Sequence, residues 1–266
     1  MEERSLPRDH LGRVIEFGRT AADYDRYRPG FPPSLFDQLR TRGWIAPDLR
    51  ALDLGTGTGT LALGLAEAGL RVAALDPSRE LLDVARRRAA EMDIDVRFFE
   101  AFAENTGEPE ASFDLVSAGQ CWWWFDAVAT IAETRRVLTA GGRLLIAGFS
   151  YLPIPGSVAG RTEEIVLEHN PGWPKAGESG MFEGQVQALD MGGFHAVESF
   201  SYVEPVRFSH EAWRGRIRAC NGVGAAMDTA RVEAFDQHLA ARLLEEFPGE
   251  LVVPHRVFVA TGLTPG

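Results

Sequence analysis

The sequence predicts a doubly wound α/β fold, in which a mostly parallel sheet carries helices on both faces. Short apolar runs typical of buried strands, at residues 51–54 and 70–75, alternate with segments of helical periodicity. A glycine-rich turn at residues 55–59 lies between the first of these strands and the next helix. This order is typical of sheets that bind a ligand at the carboxyl ends of their strands.

Composition narrows the class of protein. The chain has 266 residues, 45% of them hydrophobic, which is enough for a substantial core. No apolar run approaches the ~20 residues of a membrane helix, and the first residues lack a signal-peptide apolar region, so we expect no membrane association and a cytoplasmic location. The net charge of −11 argues against nucleic acid as partner. Two cysteines without a CxxC spacing indicate free thiols and no metal site.

The glycine turn has the spacing Gly55-x-Gly57-x-Gly59, with Thr60 where a dinucleotide fingerprint has its third glycine. Asp53 lies two residues before the turn, where a carboxylate would repel a pyrophosphate but suit a positively charged ligand. Asp76 ends the next strand, 21 positions after Gly55, an offset at which an acid reaches ribose hydroxyls.

These residues resemble the class I S-adenosylmethionine-dependent methyltransferases, in the small-molecule branch similar to methyltransferase type 11. The segments 53–59 and 75–85 carry the likeness, and residues 113–116 and 132–146 extend it to the fourth strand, the next helix, a glycine turn and the fifth strand. The resemblance implies a Rossmann-like, seven-stranded, mostly parallel sheet whose last strand is antiparallel between the fifth and sixth. It also implies S-adenosyl-L-methionine as cofactor, bound by Asp53, Gly55, Thr56, Gly57, Gly59, Asp76 and Pro77.

An aromatic and proline-rich segment, residues 20–33, precedes the first predicted helix. It resembles a Tyr-Asp-x-x-Arg-Pro-x-Tyr-Pro segment of the same branch, with Phe31 replacing the second tyrosine. The resemblance implies that Tyr24 binds the cofactor near the transferred methyl group, which makes it a catalytic candidate, and that Arg28 binds the methionine carboxylate. The alternative is a surface turn whose aromatic side chains pack on the domain.

In the family, the loop after the third strand contacts adenine through an Asp and an apolar residue. Phe102 and Ala103 occupy these positions, so the Asp is missing and a hydrogen bond to adenine must come from the backbone or from Glu104. Phe102 could stack on the base, although a core position is the commoner role for phenylalanine. Gln120, which ends the fourth predicted strand, is a further cofactor-binding candidate.

Three adjacent tryptophans, Trp122, Trp123 and Trp124, follow the fourth strand, where methyltransferases present their substrate. We expect one or two of them to pack on the sheet and at least one to face the substrate. Trp123 stands where the related branch has a histidine, so no general base carries over. His169, in a proline-rich insertion, is a candidate base and substrate contact, although a lone histidine is more often a structural residue.

We expect a single domain over residues 1–266, as monomer or homodimer. A cap segment (1–30) and two insertions (151–180 and 209–246) are expected to close over the cofactor as lids. The insertions contain four arginines that could bind an acidic acceptor, although a solvated helix face is the simpler interpretation: Arg161, Arg214, Arg216 and Arg218.

The predicted function is methyl transfer to a small molecule by direct displacement, with positioning in an aromatic-lined cleft. Two alternatives stay open at this point. A nicotinamide-dependent oxidoreductase would need a glycine at position 60 and tolerance of Asp53. A cofactor-binding protein without catalysis is compatible with the same motifs. Retained S-adenosylhomocysteine would argue against the first alternative, and turnover would argue against the second.

Overall fold

The computed structural model describes residues 26–220, 222–224 and 226–266. Their strands form one seven-stranded sheet, in the order β3-β2-β1-β4-β5-β7-β6. The strands are β1 (Arg50–Leu54), β2 (Arg71–Asp76), β3 (Val96–Glu100), β4 (Phe113–Gly119), β5 (Leu138–Tyr151), β6 (His195–Phe208) and β7 (Leu251–Leu263). The β1–β2, β1–β4, β2–β3 and β4–β5 pairs are parallel.

Helices connect these strands. In the described residues the α-helices are α1 (Pro33–Thr41), α2 (Thr60–Glu67), α3 (Arg79–Glu91), α4 (Ala127–Val137), α5 (Val158–His169), α6 (Glu183–Met191), α7 (His210–Arg218) and α8 (Thr229–Glu246). A short 3₁₀ helix, Trp122–Trp124, follows β4. The Ser78 hydroxyl accepts a hydrogen bond from the Leu81 amide and so caps α3, as serine does at many helix starts.

The last strand, β7, runs antiparallel to its neighbour β5. Leu152 N donates to Pro254 O at one end of β5, and Thr264 N donates to Gly142 O at the other. The β5 residue number rises as the partner number falls, so β7 is antiparallel to β5. The doubly wound, Rossmann-like sheet and the position of its last strand are therefore confirmed.

Some strands have different bounds in the structure from those predicted. β6 and β7 extend beyond the predicted residues 196–203 and 254–261. The expected glycine turn before the fifth strand is instead an irregularity within β5: Phe113 pairs with Leu138, but Leu115 pairs with Arg143. The extra residues bulge out of the ladder, and Gly141 supplies the positive φ of 70° that the bulge needs.

Contacts divide the chain into two compact units. Unit 2 comprises Pro29–Phe149, Met181–Tyr202 and Val257–Gly266, and its core joins apolar side chains of the central strands to those of α6. Unit 1, in its described part, comprises residues 26–28, 150–180 and most of 203–256. Both insertions, 151–180 and 209–246, therefore lie in unit 1, and their closing as lids stays a prediction.

Unit 1 has its own apolar core. On α8, Phe235, Leu239 and Leu243 recur every fourth residue and are buried, which is the pattern of a helix that packs through one face. Trp213 of α7 is fully buried, and its indole N–H donates to the Thr162 hydroxyl at 2.9 Å. Across the described residues, no helix combines the length and apolarity that a membrane span requires.

Helix α2 packs against α1 at Gly64. A Cβ added to Gly64 would lie 2.0 Å from Cζ of Phe36, closer than any real contact. We predict that Gly64→Ala lowers the free energy of unfolding by about 1–3 kcal/mol through overpacking, measured by urea denaturation.

Gly184 of α6 is the matched control, because a Cβ there would meet nothing within 4 Å. Gly184→Ala should be neutral or stabilising by up to about 1 kcal/mol. The double variant Phe36→Leu, Gly64→Ala should recover part of the loss. Equal effects of Gly64→Ala and Gly184→Ala would contradict the packing argument.

Candidate functional site

The glycine turn between β1 and α2 adopts a backbone that glycine alone accommodates easily. Gly55, Gly57 and Gly59 have φ of 58°, 55° and 85°. A Cβ at Gly55 would lie 3.0 Å from the ring of Phe125, so that position must also be small. A Cβ at Gly57 would meet nothing within 4 Å. The backbone is therefore open at Gly57, where a ligand can approach it closely.

Two hydrogen bonds fix the turn to the end of β2. Thr56 N donates to Leu75 O, and Gly57 N donates to Oδ2 of Asp76, both at 2.9 Å. The other oxygen of Asp76 accepts from Ser78 N at 2.9 Å. Burial raises the pKa of Asp76, while the two backbone N–H groups act in the opposite direction. Asp76 therefore holds the turn in place, and each of its oxygens keeps a further lone pair for a ligand.

Asp53 is the most deeply buried carboxylate of the site, with 1% of its surface exposed. Oδ1 accepts from the Ser117 hydroxyl at 2.6 Å. Oδ2 and the Thr56 hydroxyl are both buried, and within the described residues neither makes a hydrogen bond of good geometry. Burial raises the pKa of Asp53 to about 6, against the lowering effects of Ser117, Thr56 and the Ala62 backbone. A buried acceptor without a donor marks a place for a ligand donor or a cation.

The loop after β3 corrects one expectation. Phe102 is 47% exposed, so it is not a core residue, and it forms an isolated bridge with Asn105. Ala103 is buried in the core of unit 2. An Oε1 of Glu104 accepts from Asp126 N at 3.0 Å, which links this loop to the start of α4. An exposed ring next to the strand ends is compatible with stacking on a flat ligand.

Two of the three tryptophans pack on the core, as expected, and whether the third faces a substrate stays a prediction. Trp122 is buried, with 6% of its surface exposed, and contacts the Phe125 ring edge to face, while Trp124 packs on the same core. Trp123 is 38% exposed, and its ring centroid lies 5.7 Å from that of Phe182. Of the three, Trp123 presents an accessible indole face.

The remaining predicted residues are divided between the two units, except for one that lies outside the described residues. Gln120 has an unusual positive φ of 60°, and its N–H donates to Ala147 O at 2.9 Å. Pro77 is exposed directly after Asp76. His169 belongs to unit 1, where an imidazole nitrogen lies 3.4 Å from one of His238, and Arg28 also belongs to unit 1. Tyr24 lies outside the described residues.

The sequence did not point to two residues that contact the turn and the strand before it, Ser117 and Cys121. Ser117 lies directly across from Asp53 in the β1–β4 register. Cys121 donates from its thiol to Leu54 O at 3.2 Å and lies against Gly55. A polar residue within the apolar run of β4 was the available signal for Ser117, but its partner depends on strand register, which the local pattern does not give.

Comparisons with known proteins agree with this geometry. Residues 51–142 match the family model of a methyltransferase domain. An uncharacterised methyltransferase of Mycobacterium bovis is 40% identical over 132 residues, covering 49% of this chain and 50% of that protein. A demethylmenaquinone methyltransferase of Deinococcus radiodurans is 38% identical over 124 residues, covering 45% and 50%. The chain thus spans about half the length of the curated relatives that it matches.

Solved structures extend the likeness to nearly the whole chain. A putative type II methyltransferase from Anaeromyxobacter dehalogenans is 26% identical, with a TM-score of 0.70 over 90% of this chain and 100% of that one. A Haemonchus contortus phosphoethanolamine N-methyltransferase, solved with S-adenosylhomocysteine, is 19% identical with a TM-score of 0.54 over 94% and 57%, a likeness of fold alone. Residues 51–142 therefore belong to the methyltransferase domain family, within a chain that has the class I methyltransferase fold.

Proposed function

We propose that this protein is an S-adenosylmethionine-dependent methyltransferase that acts on a small molecule. The observation that carries the proposal is the pair of buried carboxylates, Asp53 and Asp76, on either side of an open glycine turn. The methyltransferase domain match and the names of the relatives support it.

The residues of the turn fit S-adenosylmethionine. That molecule carries a positive sulfonium, an ammonium group and two ribose hydroxyls. The unpartnered Oδ2 of Asp53 is an acceptor suited to a cation, and the remaining lone pairs of Asp76 suit hydroxyl donors. Gly57 leaves room for the ligand to approach the backbone. A pyrophosphate, by contrast, would place negative charge against these carboxylates.

When bound, the cofactor supplies a methyl group already activated on a positively charged sulfur. The tasks left to the protein are to orient the acceptor and exclude water. Trp123 offers a flat face for either, but an indole N–H is only a donor and takes no proton from an acceptor. The acceptor is therefore already nucleophilic, or a group outside the tryptophan triplet deprotonates it. Tyr24 and His169 stay the candidates for that role.

A small-molecule acceptor agrees with two observations. The net charge of −11 disfavours nucleic acid. The Deinococcus relative is named for demethylmenaquinone, an organic small molecule.

The first prediction from the proposed function tests the cofactor. Calorimetry should show binding of S-adenosylhomocysteine and S-adenosylmethionine, with NAD binding much more weakly or not at all. Asp76→Ala should weaken cofactor binding by about 2–4 kcal/mol, because charge-assisted hydrogen bonds to two hydroxyls are lost.

Asp83→Ala is the control for charge, because Asp83 is an exposed residue of α3 that pairs with Arg86. It should leave the dissociation constant unchanged. Tighter binding of NAD than of S-adenosylmethionine would end the proposal. An unchanged constant in a folded Asp76→Ala variant would show only that Asp76 is not the ribose ligand.

The second prediction concerns pH. The pKa of Asp53 is raised to about 6, so below about pH 6 the free protein holds a proton there that a bound cation would expel. Affinity for S-adenosylhomocysteine should therefore rise by about tenfold as the pH rises from 5 to 7.5. Asp53→Asn should remove most of this dependence, and any remainder would reflect Asp76. An equal pH dependence in the variant would exclude Asp53 as the group.

The raised pKa of Asp53 also predicts how the free energy of unfolding depends on pH. In the ligand-free protein, Asp53 binds its proton more tightly when folded than when unfolded. Its contribution to the free energy of unfolding should fall by roughly 3 kcal/mol as the pH rises from about 4 to above 6. The difference between wild type and Asp53→Asn in urea titrations, followed across this range, isolates that contribution.

The third prediction separates the tryptophans. Trp122→Phe should lower the free energy of unfolding by about 1–3 kcal/mol and leave the acceptor's KM alone, because Trp122 is a core residue. Trp123→Phe should leave stability nearly unchanged and alter KM or kcat. The acceptor is first found by a thermal-shift screen of metabolites with S-adenosylhomocysteine present. If Trp123→Phe changes neither kinetic constant, the acceptor lies elsewhere.

A further inference from the structure

The four arginines of the insertions do not share one environment. Arg161 forms ion pairs with Glu164 and Glu246. Arg214 and Arg218 each form ion pairs with Glu211 and with Asp236. Arg216, on the same helix α7, is only 7% exposed. The expectation of a solvated helix face is therefore wrong for Arg216.

The contacts of Arg216 do not compensate its charge. Nη1 donates to the Cys220 sulfur at 3.4 Å, and sulfur is a weak acceptor. The guanidinium carbon lies 5.4 Å from the ring centroid of Tyr151. Nε is buried without a hydrogen-bond partner, and no carboxylate among the described residues lies within ion-pair distance. Such a buried cation costs several kcal/mol unless an anion accompanies it.

The ionisable groups around Arg216 do not supply that anion. Burial raises the pKa of the Tyr151 phenol well above its usual value, so it is neutral. Burial also lowers the pKa of His255 to about 3, with Arg216 contributing, so the imidazole is neutral as well. Burial raises the pKa of Glu163, and its carboxylate accepts hydrogen bonds from Gly177 N at 2.7 Å and from the Tyr151 hydroxyl. It is bonded elsewhere rather than to Arg216.

Arg28 brings a second positive charge near His255. Arg28 also lowers the pKa of His255, in the same direction as Arg216. Two guanidinium charges therefore act on one neutral imidazole in the interior of unit 1. Rings of Tyr151, Phe208 and Trp213 surround that imidazole, with centroids 5.7–6.5 Å away. The result is an aromatic-walled environment around His255, with the Arg216 guanidinium close to it.

We propose that unit 1 binds the carboxylate of a small organic acid, with the Arg216 guanidinium as the group that receives it. A guanidinium matches a carboxylate through two parallel N–H···O bonds, and the Nε–H of Arg216 is one donor still available for them. The cation–π contact with the Tyr151 ring, 5.4 Å from the guanidinium carbon, helps to position the guanidinium. A singly charged carboxylate neutralises one guanidinium, and the aromatic surroundings suit an apolar acid.

This site goes beyond the proposed methyl transfer and does not depend on it, because binding is measured without a methyl donor. An acid that binds to Arg216 is the first compound to test as the methyl acceptor.

The experiment uses the full chain and three probes that share one ring: phenylacetate, phenyl phosphate and the uncharged 2-phenylethanol. Phenylacetate should raise the melting temperature by about 2–5 °C at ten times its dissociation constant. It should also shift the Nε–Hε signal of Arg216 in a ¹H–¹⁵N spectrum, assigned with the Arg216→Lys variant. The uncharged alcohol should do neither.

Two variants on α7 provide the comparison. Arg216→Met should abolish the phenylacetate effects and leave the melting temperature of the free protein unchanged or higher, because an uncompensated charge is removed. Arg214→Gln, which removes an ion-paired neighbour, should retain the phenylacetate response. If Arg216→Met does not fold, two other measurements test the proposal. Phenylacetate should still shift the wild-type Nε–Hε signal, and Arg216→Lys should bind phenylacetate at least tenfold more weakly.

Four results would overturn the proposal. The first is no response of the Arg216 signal to phenylacetate at millimolar concentrations, and the second is a response that persists in Arg216→Met. The third is stronger binding of phenyl phosphate, which would make this a phosphate site. The fourth is a signal that moves only with S-adenosylhomocysteine, which would identify the carboxylate as the cofactor's own.

Discussion

The hydrogen bond from Gly57 N to Asp76 is the interaction on which the candidate site depends. Together with the bond from Thr56 N to Leu75 O, it fixes the glycine turn to the neighbouring strand. A chain with three positive φ angles has few internal restraints, so an external acceptor must hold it. Because β1 and β2 are parallel neighbours, the strand that follows the turn's own helix supplies this acceptor. The Asp76 carboxylate therefore holds the turn in place and is also available to a ligand.

The local sequence pattern predicted those features of the fold that depend on residues close together in the chain. The spacing of Gly55, Gly57 and Gly59 and the acids at both strand ends predicted the turn, its neighbours and the parallel sheet. Ser117 was out of reach, because its bond to Asp53 depends on the pairing of β1 with β4, 64 positions apart in the chain. Register is a property of the assembled sheet, and a short polar residue inside an apolar run does not name its partner.

The errors have a common physical origin, which is that residue type predicts average burial rather than position. A core position is the commoner role for phenylalanine, but Phe102 is 47% exposed, as large apolar side chains in loops often are. The resemblance implies a glycine turn at Gly141, but a bulge within β5 has the same need for positive φ. The ends of β6 alternate between exposed and partly buried residues, so its apolar signal is weak and its length was underestimated.

The two most informative buried groups, Asp53 in unit 2 and Arg216 in unit 1, differ in how they can respond to burial. Asp53 can accept a proton, and its pKa of about 6 shows that burial moves it toward that neutral form. A guanidinium does not lose its proton in proteins, so Arg216 has no such route. Its charge persists in an interior where the nearby Tyr151 and His255 are neutral. A bound anion would compensate this charge, and the proposed carboxylate ligand supplies one.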